Sequence, residues 1–146
     1  MSTSPSPDHP AITGGCACGG VRYAVHGKLR EIITCHCEQC RRTSGHFVAA
    51  TACHRDHFEL LQSDSLRWYT AVAGHRRGFC NVCGASLFFE AMDGPRVSIA
   101  AGSLDAPQGL HIAAQIFTAE AGDYYHLEPD VPASPDGSHQ VRLPAP

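Results

Sequence analysis

The apolar positions of this chain recur at short range. Val21, Tyr23 and Val25 alternate with smaller or polar neighbours in VRYAV. FELLQ, LRWYTAV, SLFFEA, RVSIAAG and HIAAQIF are further short runs with β-branched or aromatic residues, separated by Gly, Asp, Ser or Pro. Such runs predict strands almost throughout, and so an all-β domain. One segment differs: EQCRRTSG, Glu38 to Gly45, reads as a short helix with Gly45 as its C-terminal stop. Residues 1–13 are rich in Ser, Pro and Thr and are expected to form a flexible lead-in, and the tail 128–146 repeats that composition and is expected to be loosely ordered. Residues 14–127 remain as a single domain, and a chain of 146 residues is long enough to bury a core.

Composition agrees with a packed domain: 43% of residues are hydrophobic and 17% are charged. A formal net charge of -3 leaves no broad surface for phosphates, so no nucleic-acid partner is expected, and Arg41/Arg42 and Arg76/Arg77 are the only basic doublets. The N-terminus lacks a basic start and an apolar run, and no segment approaches the ~20 apolar residues of a membrane span. The expectation is therefore no membrane association and a cytoplasmic address.

In that compartment eight cysteines point to metal binding rather than to disulfides, the more so because they are clustered. Cys16 and Cys18 form C-x-C, whose sulfurs fall on one side of an extended segment. Cys80 and Cys83 form C-x2-C followed by Gly84, the form of a zinc knuckle. These four thiols would make one closed, structural site across more than sixty residues of chain, as the numbering shows.

CHCEQC then holds three thiols, Cys35, Cys37 and Cys40. Structural zinc sites are closed, whereas catalytic sites keep three protein ligands and an open position, so this cluster is the candidate catalytic centre. Cys53 is the alternative fourth ligand; otherwise it is a buried core thiol. Arg41 and Arg42 follow directly and are candidates to pair with substrate carboxylates. His36, between two ligands, should face the other way and not ligate. His46, His54 and His57 read as surface or hydrogen-bonded polar positions, and Trp68, Phe88 and Phe89 as core.

Together these motifs resemble the glutathione-dependent formaldehyde-activating enzyme family, which shares its domain with centromere protein V. The resemblance lies in GGCACGGVRY, TCHCEQCRRTSG, RGFCNVCGASLFF, VSIAAGSLDAP and QIFTAEAGDYYHL, between Gly14 and Leu127. In the last of these, Gln115 stands where many relatives have histidine and Tyr124 where many have tryptophan. The resemblance implies a mainly-β, Mss4-like fold: several coiled antiparallel sheets stapled by zinc, with one short helix. It implies a structural zinc on Cys16, Cys18, Cys80 and Cys83, and a second, exchangeable zinc on Cys35, Cys37 and Cys40 beside a glutathione site. The activity implied is the joining of glutathione and formaldehyde into S-(hydroxymethyl)glutathione, formally a carbon–sulfur lyase reaction. The rival expectation is a non-catalytic zinc-stabilised β module that binds a partner or exchanges zinc with small thiols.

Overall fold

The computed structural model describes residues 10–139 and 141–145, so most of the expected lead-in, residues 1–9, lies outside the described residues. Strands β1 (Ile12–Gly15), β2 (Arg22–Val25) and β5 (Phe58–Gln62) form a three-stranded antiparallel sheet in the order β1-β2-β5. Strands β3 (Ile32–Cys35), β4 (Val48–His54), β6 (Leu66–Val72), β7 (His75–Cys80), β8 (Ser86–Ala91), β9 (Arg96–Ala100) and β10 (Ile112–Ile116) form a seven-stranded sheet in the order β10-β3-β4-β9-β8-β7-β6. Between β3 and β4 lies the one α-helix among the described residues, α1 (Glu38–Ser44). The fold is thus mainly β with one short helix, as the pattern of apolar runs predicts.

All six runs named above are strands to within a residue or two. The strands without such a run, β1, β3, β4 and β7, are short or rich in small and charged residues (ITGG, IITC, VAATACH and HRRGFC). Their place is set by tertiary pairing rather than by local pattern.

One pairing departs from the antiparallel expectation. β10 runs parallel to β3, with Ile112 opposite Ile32 and Ile116 opposite Cys35. The long connection after β9 returns the chain to the start of β3, where the Ile32 N–H donates to the His111 carbonyl, and a crossover of that length is what a parallel pair requires. The chain beyond Glu128 then lies along β10. Gln115, whose side chain is buried, donates through Nε2 to the carbonyls of Glu128 (3.0 Å) and Val131 (3.2 Å), and the Ser134 N–H donates to the Gln115 carbonyl.

The core lies between the two sheets. Tyr23 and Phe58 of the small sheet meet Phe88 of the large one with ring centroids 5.4 and 5.1 Å away, and Val25, Cys53, Val97 and Ile99 pack around them. Gly14 is required here: a Cβ would stand 2.3 Å from the Tyr23 hydroxyl oxygen, which is hydrogen-bonded to Ser103.

Register assigns the two faces of the large sheet. Directly opposed residues of neighbouring strands share a face. Thr51 opposite Ile99 and Cys53 opposite Val97 belong to the core face; Ala50 opposite Ala100 and Ala52 opposite Ser98 belong to the other. Among the described residues no helix is long and apolar enough to cross a membrane.

Candidate metal centres

β1 leads into the turn that carries Cys16 and Cys18, and β7 ends at Cys80, from which a turn through Cys83 and Gly84 leads to β8. Gly84 has φ +78°, the left-handed conformation that its place after C-x2-C predicts. All four sulfurs lie within 4.8 Å of one another, and the Cys16–Cys18 and Cys18–Cys80 separations are both 3.6 Å. A tetrahedral zinc with Zn–S near 2.3 Å needs sulfurs roughly 3.8 Å apart, so these residues fit such an ion.

The backbone donates to the sulfurs as well. The Val21 N–H reaches Cys16 Sγ at 3.2 Å, and the Val82 and Cys83 N–H groups reach Cys80 Sγ at 3.4 Å. The Cys83 N–H first, then the Ser65 hydroxyl, lowers the Cys80 thiol to about 5, which favours the thiolate that a metal needs. The C-x-C sulfurs converge through a turn rather than through the extended strand that the spacing suggests. This site joins β1 of the small sheet to β7 of the large one.

The second cluster gathers where β3 hands over to α1. Cys35 ends β3, Cys37 is the helix N-cap, accepting from the Cys40 N–H at 3.4 Å, and Cys40 lies buried in the helix. Their sulfurs also lie within 4.8 Å of one another. The helix ends as predicted at Gly45, φ +81°, whose N–H donates to the Arg41 carbonyl. Within the cluster, hydrogen bonding from the Cys35 thiol, followed by Cys37 and Arg77, lowers the Cys40 thiol to about 6. Cys35 is raised, first by that same bond and then by burial, and Cys37 is raised by burial.

Cys53 does not join them. It is fully buried in the core, where desolvation raises its thiol to about 12. Two features of β4 keep it apart. Cys35 pairs with Val48, which shares a face with Ala50 and Ala52, while Cys53 points to the opposite face. Moreover, Val48 to Cys53 spans roughly 17 Å of strand at ~3.4 Å per residue.

His36 also faces away, as expected: its Nδ1 is 2.5 Å from the Tyr125 hydroxyl and its Nε2 3.0 Å from Thr34 Oγ1. His46 pairs through Nδ1 with the Tyr124 hydroxyl at 2.6 Å. Tyr125 and Tyr124 thereby reach the histidine within the thiol segment and the one that follows α1. Of the other two, His54 Nε2 donates to the Pro144 carbonyl, while His57 Nδ1 is buried without a protein partner.

The arginines are arranged less simply than the motif suggests. Arg42 Nε pairs with Glu38 at 3.0 Å, with its side chain 70% exposed, and Arg41 is half-buried on the same helix. In direct contact with the thiols is Arg77, whose Nη2 is 3.6 Å from Cys40 Sγ. Strand alternation divides the second basic doublet. Arg76 lies over Trp68 and pairs with the buried Glu90, whereas Arg77 points to the thiol side. HRRGFC has no apolar run to mark it as a strand, so the two arginines could not be assigned to faces from sequence. Phe89 is likewise a correction: Trp68 and Phe88 pack at the core as expected, but Phe89 turns to the thiol face and lies beneath Arg77.

Comparison with known proteins points in one direction. Residues 11–120 match the family model of the glutathione-dependent formaldehyde-activating enzyme. An uncharacterized lyase of Schizosaccharomyces pombe is 26% identical over 86 residues, covering 58% of this chain and 61% of that protein, so the chain spans less than two thirds of that relative's length. A crystal structure of a Rhodobacter sphaeroides protein superposes with a TM-score of 0.54 at 20% identity, covering 66% of this chain and 90% of that one, a likeness of fold.

Proposed function

The chain belongs to the glutathione-dependent formaldehyde-activating enzyme family, and from that premise we propose that it is a zinc-dependent enzyme joining a small thiol, glutathione in the first instance, to formaldehyde or a related aldehyde. The observation that carries this reading is the trio Cys35, Cys37 and Cys40, within reach of one ion while Cys53 lies on the opposite face of the sheet. Three thiols leave a coordination position open, which a structural site would not do. Zinc held there supplies a Lewis-acidic centre that favours the deprotonated form of an incoming thiol.

The surrounding residues do the rest. Arg77, against Cys40, adds positive charge beside the thiol cluster. Arg41 and Arg42 extend that charge toward solvent, where substrate carboxylates would pair with them, Arg42 exchanging its Glu38 partner. The thiol sulfur adds to the aldehyde carbon and forms the C–S bond. The carbonyl π pair moves to oxygen, which takes the proton the thiol gave up. The four-thiol set is structural in this reading, and the lyase name of the yeast relative suits carbon–sulfur chemistry.

NMR exchange spectroscopy on glutathione and formaldehyde with the metal-loaded protein tests it. Exchange between free and hydroxymethylated thiol should accelerate over the spontaneous rate; equal rates would sink the named activity. Zinc release by glutathione without turnover would select the exchange module instead.

A further inference from the structure

The thiol face of the large sheet carries a hollow that neither of those substrates fills. Cross-strand partners run Tyr69, Arg77, Phe89, Ser98 and Ala52 in one row, and Ala100 faces Ala50 in the next. The row is bulky on β6, β7 and β8 and small on β9 and β4, so the sheet floor sinks where Ser98, Ala100 and Ala50 meet. The resulting cavity is about 370 Å³, and Thr43 of α1 contributes to its wall.

The hollow adjoins the thiol cluster through Arg77. That guanidinium lies 4.8 Å over the Phe89 ring, lines the cavity, and donates to Cys40 Sγ at 3.6 Å. Its Nε is buried and has no protein acceptor. The other walls are mainly carbon, from Val48, Leu87 and Phe89 among others. Formaldehyde has two non-hydrogen atoms and leaves such a space empty, whereas an apolar cavity of ~150 Å³ already takes benzene. Glutathione carries peptide groups and charges at both ends, and burying them against these walls would leave them unpaired.

We propose that the hollow binds the apolar substituent of the carbonyl substrate, so that the chain acts on an aldehyde bearing an aromatic ring or a short alkyl chain. The carbonyl oxygen points to the Arg77 guanidinium, which lines the hollow and touches Cys40. This rests on the thiol–aldehyde reading above, and the chemistry balances in the same way: a C–S bond forms, the carbonyl π pair goes to oxygen, and the thiol proton ends there.

Phenylacetaldehyde and formaldehyde, each with glutathione and the metal-loaded full chain, provide the test, with binding of the unreactive 2-phenylethanol measured by ligand-observed NMR. Phenylacetaldehyde should be turned over with kcat/KM at least about tenfold above formaldehyde, and 2-phenylethanol should bind. Ala100→Leu, which fills the hollow, should lower that rate ratio by about tenfold and abolish the binding; Ala50→Leu repeats the test if A100L does not fold. Turnover of formaldehyde without preference for the larger aldehyde, or without 2-phenylethanol binding, overturns the assignment of the hollow alone. No turnover of either aldehyde overturns the reaction reading, and the substrate assignment with it.

Discussion

At the scale of single residues, Cys53 separates two accounts of the molecule. Its side chain packs with Val97 and Ile99 on the core face, so Cys53→Ala should leave the metal content per chain unchanged and cost only ~1 kcal/mol, for a small cavity. Elemental analysis showing one metal equivalent lost would return Cys53 to the ligands. Tyr23 makes a different prediction. Burial raises its hydroxyl to about 12, against ~10 in an unfolded chain. Because the folded state holds the proton more tightly, this group stabilises fully below pH ~10, and its contribution is lost as pH rises toward about 12. Tyr23→Phe should therefore flatten the fall of the denaturant midpoint across that window; an unchanged slope would contradict the burial argument.

At the scale of elements, the two thiol sets differ in what they connect. One joins strands of separate sheets; the other closes a single β3–α1 corner. Cys80→Ser should lose cooperative folding, because a metal held by those four thiols would contribute to the folding free energy. Cys37→Ser should keep the wild-type circular dichroism spectrum and lose one metal and the activity. Equal unfolding of both variants would refute the division. Much of this was legible in the sequence, since Gly45 and Gly84 mark backbone conformations that few other residues tolerate. What was not legible depended on strands without a period. VAATACH and HRRGFC show no alternation of apolar and polar residues, and the faces of Cys53, Arg77 and Phe89 are fixed only once β4, β7 and β8 find their partners. The parallel entry of β10 beside β3 was hidden for the same reason, as no local signal states which edge a distant strand will join.

At the scale of the whole molecule, the fold is two sheets around one aromatic core, and the four-thiol set ties them together at one end. The spacing of the two thiol sets has a kinetic consequence. Cys35 to Cys40 is a stretch of six residues that can close on an ion as an isolated peptide, with little loop entropy to overcome, whereas Cys16 and Cys83 must first be brought together across the intervening strands. Metal uptake by the two sets should therefore be sequential in time. Refolding in the presence of cobalt, followed by its thiolate charge-transfer absorbance in a stopped-flow instrument, should show an early phase at the rate of chelation. A late phase should coincide with the rise of near-ultraviolet circular dichroism, and simultaneous phases would contradict the order. On the ribosome the same ordering would let the nascent chain close its three-thiol set on an ion while β7 is still unmade, and its four-thiol set only when the two sheets dock.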